Sequence, residues 1–244
     1  MAVLIERPAA PFIKRLWHLF EQTQIASWQQ TNKQAILTEL SLENLKNMKR
    51  IVILGSSGSG KSTLARKLGN SLNLPVVHLD RHYWNPGWEP TPEKQWQEQV
   101  KDFVSEPAWI IDGNYRSTLD IRLEACDAVI FLDMPPILCV QRAIKRRFQY
   151  MNHPRPDIAR GCKELVLDPQ FPQFLARILD YPKRARPEVL QKINYIKDHK
   201  RVIILNSPQT ADEFLEDPER LFPLDNTFLE SLTPVSSPPQ FTTD

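Results

Sequence analysis

The chain has 244 residues, 41% of them hydrophobic and 25% charged, with a formal net charge of +2. That length holds one α/β domain of about 150 to 200 residues plus extensions, and the balance excludes wholesale disorder. No apolar run reaches the roughly 18 residues that span a bilayer, and Met1–Ala10 lacks a secretory pattern, so no membrane partner and a cytoplasmic location are expected.

Residues 1–49 contain no glycine and carry two helix-like stretches, one placing Phe12, Leu16, Trp17 and Phe20 on a face, the other Ile36, Leu37 and Leu40. We therefore expect 1–47 to be a helical N-terminal extension, dispensable for nucleotide binding. Met48-Lys49-Arg50 leads directly into the first apolar strand, which fits either translation from Met48 or a loosely attached extension.

From there on the apolar segments are short and β-branched: Ile51–Leu54, Val76–Leu79, Trp109–Ile111, Val129–Leu132 and Val202–Leu205. Helical patterns fall between them at 60–73, 92–105, 117–125, 135–151, 170–180 and 186–199, with Pro92 and Pro136 at helix starts. Buried strands alternating with helices predict a doubly wound α/β sandwich with a five-stranded, mainly parallel sheet. The domain is expected over 48–216. The tail 217–244 is acidic and holds Pro218, Pro223, Pro234, Pro238 and Pro239, a composition expected to be disordered.

Gly55-Ser56-Ser57-Gly58-Ser59-Gly60-Lys61-Ser62 fits the G-x-x-x-x-G-K-[ST] pattern, with a strand before it and a helix, opening at Thr63, after it. Glycines let successive N–H groups turn inward around a phosphate at a helix N-terminus. Residues 55–63 are thus the candidate ATP cradle. Lys61 is expected on the β- and γ-oxygens and Ser62 on Mg²⁺.

The residues that choose an acceptor should lie at the ends of the next strands, where open α/β sheets bind ligands. Asp80, within His78-Leu79-Asp80-Arg81, is placed to orient or deprotonate a hydroxyl, to hold Mg²⁺ through water, or simply to cap a turn. Asp112-Gly113-Asn114-Tyr115-Arg116 follows the third strand. Here the chain resembles the adenylate-kinase-like nucleoside and nucleotide kinases, whose corresponding strand ends in Asp-Gly-Phe-Pro-Arg, with Asn114 and Tyr115 standing in for the Phe-Pro. The resemblance implies a metal role for Asp112 and an acceptor-phosphate grip for Arg116. A surface arginine opening the next helix is the competing reading.

A closer resemblance, over about 49–206, is to the bacterial DNA topology modulation proteins, a kinase-like P-loop family. It rests on the P-loop, His78–Arg81, Tyr83-Trp84-Asn85-Pro86-Gly87-Trp88, Ile111–Tyr115, Leu119-Asp120-Ile121-Arg122-Leu123 and the basic stretch Arg142–Gly161. The candidates for an acceptor site are Asp80, Arg81, Tyr83, Trp84, Arg116 and Arg122. The aromatics would stack on a base or flank a sugar, or else serve as plain packing.

Positive charge concentrates in Arg142, Lys145, Arg146, Arg147, Arg155, Arg160 and Lys163, against Asp157 alone in that span. In kinases of this architecture the region is a lid, here about 142–163, whose arginines stabilise the transferring phosphoryl group. Arg142 and Arg146 share a helix face and are the principal candidates, with Arg155 and Arg160 beside them. A solvated basic face is one competing reading. Another is DNA binding, against which stand the near-neutral charge and the lack of a DNA-binding module. The expected activity is Mg·ATP-dependent phosphoryl transfer to a small nucleoside- or nucleotide-like molecule, the alternative being an ATP-dependent regulatory protein acting on DNA topology or a protein partner.

Overall fold

A computed structural model describes residues 36–37, 48–151, 155–162 and 168–216 of the chain. The first helix-like stretch, the tail 217–244 and two segments of the basic region, 152–154 and 163–167, lie outside the described residues.

In chain order the elements are β1 (Ile36–Leu37), β2 (Arg50–Gly55), α1 (Lys61–Leu72), β3 (Val76–His78), α2 (Leu79–Tyr83), β4 (Trp84–Asn85), β5 (Glu89–Pro90), α3 (Glu93–Ser105), β6 (Trp109–Asp112), a 3-10 turn (Arg116–Thr118), α4 (Leu119–Ala125), β7 (Ala128–Leu132), α5 (Pro136–Gln149), α6 (Phe171–Ile196), β8 (Arg201–Leu205) and α7 (Pro208–Glu216). The main sheet has the order β1-β8-β7-β2-β6-β3. The five strands from β8 to β3 are parallel, while β1 runs antiparallel along β8. β2 lies between β7 and β6, so the connections leave it in opposite directions. A cleft opens at such a switch point, at the carboxyl ends of the strands.

Both faces of the sheet are covered, which is why its central strands are apolar without alternation. Val52, Leu54, Ile111, Val129, Phe131, Val202 and Ile204 join Trp96 and Val100 of α3, Leu123 of α4 and Val189, Leu190 and Ile193 of α6 in one buried cluster. Successive strand residues point to opposite faces, and on the other face α1 comes down onto Ile110.

Three elements depart from the periodicity. Ile36 and Leu37, expected on a helix, pair with Ile204 and Ile203 and cover the outer backbone of β8, which would otherwise be an open sheet edge. The two helices expected at 170–180 and 186–199 are one 26-residue helix, α6, with Pro182 and Pro187 inside it. Each proline removes one backbone hydrogen bond, and burial of Ile178, Val189, Leu190 and Ile193 along the helix outweighs that loss. Helix α7 escaped the pattern. Ser207 and Thr210 start it by a reciprocal cap, Thr210 N–H donating to Ser207 Oγ at 3.1 Å and Ser207 N–H to Thr210 Oγ1 at 3.2 Å.

Candidate active site

The loop between β2 and α1 folds back over the sheet edge with no side chain capping α1, so the helix's first N–H groups face the cleft. Gly58 has φ +83°, and a Cβ there would stand 2.2 Å from the carbonyl oxygen of Cys139 in α5. Only glycine lets the loop and that helix approach so closely. Lys61 Nζ donates to Ser56 O at 2.9 Å, and burial draws its pKa below the ordinary value against the opposing charges of Asp80 and Asp112.

Asp112 ends β6 and is buried. Its Oδ2 accepts the Ser62 hydroxyl at 2.8 Å, and its Oδ1 meets His78 Nδ1 across the β3–β6 register. A hydroxyl and a carboxylate side by side at the foot of a phosphate loop suit Mg²⁺, which takes few protein oxygens and completes its shell with phosphate and water. Among the described residues there is no group of three or more His, Cys, Asp and Glu side chains able to hold a metal.

Asn114 and Tyr115, the pair that departs from Phe-Pro, have defined work. Asn114 Oδ1 accepts the Gly55 N–H at 3.0 Å, tying the loop after β6 to the root of the phosphate loop. Tyr115 OH donates to Asp80 Oδ1 at 2.6 Å, and burial, reinforced by the Asp80 charge, pushes the phenol pKa up, so it stays protonated. Its ring packs against Tyr83 and Trp96, with centroids 4.4 Å and 5.1 Å away.

The resulting cleft, of about 1060 Å³, is lined by the phosphate loop, Asp80, Trp84, Trp88, Asp112, Tyr115, Arg142, Arg146 and Arg155. Arg142 Nη1 donates to Ser59 O at 3.0 Å and so rests on the cradle. Arg155 is buried against Asp157, donating to its two oxygens at 3.3 and 2.9 Å. Arg147, not singled out by spacing, bonds Asp168 at 2.9 Å and lies 4.1 Å over the Phe171 ring. The hairpin β4–β5, which carries Trp84, is fastened to the 159–162 loop. Gly87 N–H donates to Gly161 O at 3.3 Å, Cys162 Sγ lies 3.2 Å from Asn85 O, and a Cβ on Gly161 would reach within 2.9 Å of Pro86.

Other expected site residues lie elsewhere. Arg81 and Arg160 are exposed and do not line the cleft. Tyr83 packs onto the core cluster. Arg116 turns away to Glu188 of α6 at 2.7 Å, its side chain 56% exposed. Arg122, expected at the acceptor, is fully buried and donates to the carbonyls of Gly113, Tyr115 and Thr118 at 2.8, 2.7 and 3.3 Å. It braces the 113–118 loop and has no route to a ligand.

The sheet order, the phosphate loop and the polar residues at the strand ends define a P-loop α/β protein. No family model matches the chain. Over 105 residues it is 34% identical to uncharacterized protein YqaC of Bacillus subtilis (strain 168), a match covering 41% of this chain and 58% of that protein, so the chain spans less than two thirds of this relative's length. Over 167 residues it is 29% identical to adenylate kinase 2 of Nostoc sp. (strain PCC 7120), covering 56% of this chain and 86% of the other. Among solved structures it is similar to shikimate kinase from Acinetobacter baumannii in complex with shikimate (TM-score 0.46, 16% identity, 71% of this chain and 92% of that one). It is also similar to a gluconokinase from Sinorhizobium meliloti 1021 (TM-score 0.41, 17% identity, 76% and 93%). Among the described residues no helix is long and apolar enough to cross a membrane.

Proposed function

We propose that the protein is a cytoplasmic phosphotransferase that moves the γ-phosphoryl group of ATP, with Mg²⁺, to a small nucleoside- or nucleotide-like acceptor. The observation that carries this reading is the convergence on one cleft of Lys61, the Ser62–Asp112 pair and Asp80. The likeness to adenylate kinase 2 supports the same class of chemistry. Phosphoryl transfer asks a protein for positioning and charge rather than covalent catalysis. The loop N–H groups and Lys61 hold the triphosphate, and Lys61 exchanges its bond to Ser56 O for phosphate oxygen. Ser62 and Asp112 would hold Mg²⁺, which when bound neutralises charge on the β- and γ-phosphates. Asp80 receives the acceptor, and Arg142 and Arg146 face the moving charge.

The resemblance to the DNA topology modulation proteins fits this reading, because the motifs that carry it, from His78 to Leu123, surround or brace the cleft. The basic stretch belongs to it as well: Arg142, Arg147 and Arg155 are engaged with Ser59 O, Asp168 and Asp157 rather than spread over an outer face.

The test is ADP formation from Mg·ATP across a panel of nucleosides, nucleoside monophosphates, sugars and hydroxy acids, with Lys61→Ala as the blank. Stimulation by one class, lost in the variant, is the expected result. ATP binding that no acceptor turns into ADP, joined to ATP-gated and salt-sensitive DNA retention, would replace the kinase reading by a regulatory one.

A further inference from the structure

Resting on the kinase reading above, we infer that the group phosphorylated is an alcohol rather than a phosphate: the acceptor is a small hydroxyl-bearing molecule with an apolar face, and Tyr115 is the positioning residue that aims Asp80 at its hydroxyl.

A site that accepts on a phosphate must hold a multiply charged anion before transfer begins, and does so with unmatched cations, most effectively the planar fork of arginine. The loop after β6 could supply two. Arg116 is held by Glu188 on the protein surface, and Arg122 is fully buried with all three of its nitrogens turned to backbone carbonyls. Arginines on the opposite wall are compensated, Arg147 by Asp168 and Arg155 by Asp157. Arg142 sits on the phosphate loop. Arg146 stands one turn after Arg142 on α5 and lines the same part of the cleft, while Arg66 and Arg177 lie exposed at its rim.

What stands at the acceptor seat instead is a carboxylate. One Asp80 oxygen is taken by the Tyr115 hydroxyl at 2.6 Å, and the residue lines the cleft, so its second oxygen is the one left to meet a ligand. A carboxylate accepts hydrogen bonds and repels phosphate, so the seat selects a donor, and an alcohol O–H is one. Tyr115 is held in turn by the rings of Tyr83 and Trp96, which restricts the carboxylate to one orientation. Trp84 and Trp88, with ring centroids 5.6 Å apart and planes at 73°, add indole surface beside the seat. Such surface suits the C–H face of a ring or polyol.

The step balances without a further reagent. The alcohol oxygen forms a bond to the γ-phosphorus as the bond from that phosphorus to the β–γ bridging oxygen breaks. ADP leaves with the electron pair, and the hydroxyl proton passes to the second Asp80 oxygen. The product is a phosphate monoester. Transfer to a phosphate would give an anhydride.

The experiment incubates the full chain with Mg·ATP and reads products by ³¹P NMR, one arm containing AMP, GMP, CMP and UMP, the other adenosine, thymidine, D-gluconate, shikimate and myo-inositol. A new monoester in the second arm, with the first at the Lys61→Ala blank, is the expected result. Tyr115→Phe, which keeps the ring, should then raise the acceptor KM and lower kcat by about tenfold in kcat/KM while the ATP KM stays within about twofold. Asp80→Asn should lower kcat by about a hundredfold or more. Nucleoside diphosphate forming in the first arm overturns the alcohol assignment and leaves the kinase reading standing. Equal loss of acceptor and ATP affinity in Tyr115→Phe removes the positioning role. No product above the blank in either arm, with ATP binding intact by calorimetry, overturns the kinase reading and this inference with it.

Discussion

Replacing Arg122 by methionine isolates the bracing of the acceptor loop, since the side chain keeps its apolar bulk and loses only its donors. Three carbonyls are deprived, those of Tyr115 at 2.7 Å, Gly113 at 2.8 Å and Thr118 at 3.3 Å, all around a residue with no exposed surface. Hydrogen bonds from a charged donor contribute about 1.5–3 kcal/mol each, so the two short ones amount to roughly 3–6 kcal/mol. Removing a buried cation returns part of its desolvation cost. That cost is visible in the Arg122 pKa, which burial draws down to about 10. A net loss of about 3 kcal/mol follows, and in a domain of this size each kcal/mol moves Tm by about 2–4 °C, giving a fall of about 6–12 °C. Differential scanning calorimetry of Arg122→Met beside the parent protein reads this directly. A variant with unaltered Tm but a selectively raised acceptor KM would refute the bracing role and return Arg122 to the substrate.

Lys61→Ala should abolish transfer with Tm little changed, whereas Arg146→Ala should lower kcat far more than ATP affinity; steady-state kinetics with calorimetric ATP titration separate the two, and unchanged turnover removes Arg146 from the mechanism. Burial opposes ionisation of Asp157, but hydrogen bonds and charge from Arg155 outweigh it and hold its pKa down to about 2. A carboxyl depressed on folding lends stability that is fully present above its unfolded pKa of about 4 and is lost as pH falls towards 2, so Asp157→Asn should cost about 2 kcal/mol at pH 6 and flatten the loss of Tm between roughly pH 4 and 2. A protein beginning at Met48 should bind ATP as the full chain does; one that folds yet fails to bind would show that 1–47 takes part in nucleotide binding.

The five parallel strands were legible because burial on both faces leaves unbroken runs such as Ile51–Leu54 and Val129–Leu132, bounded by polar residues. The phosphate loop was legible because its chemistry is carried by contiguous residues. β1 was not, since two residues establish no period, and its pairing depends on neighbours 166 and 168 positions away. Nor does a proline-based rule foresee α6, where packing spread over many residues offsets two lost hydrogen bonds. At the site, spacing identifies a charged residue but not the group it will meet. Arg116 and Arg122 have the type expected of phosphate ligands, and only the fold supplies the Glu188 and the three carbonyls that claim them. The substitution of Asn114-Tyr115 for Phe-Pro was the available signal. A polar amide and a phenol in place of two apolar residues announce two new hydrogen bonds, and their partners, Gly55 and Asp80, lie 59 and 35 positions away.

The 2.2 Å that a Gly58 Cβ would leave to the Cys139 carbonyl makes the phosphate loop and α5 a single mechanical part. Arg142 and Arg146 ride on that helix, so their reach towards the triphosphate is gauged by one glycine-to-backbone contact rather than by their own flexible stems. Volume changes along the 134–140 segment would therefore register as errors in arginine placement. The cradle works as the ruler against which the cleft's cations are set.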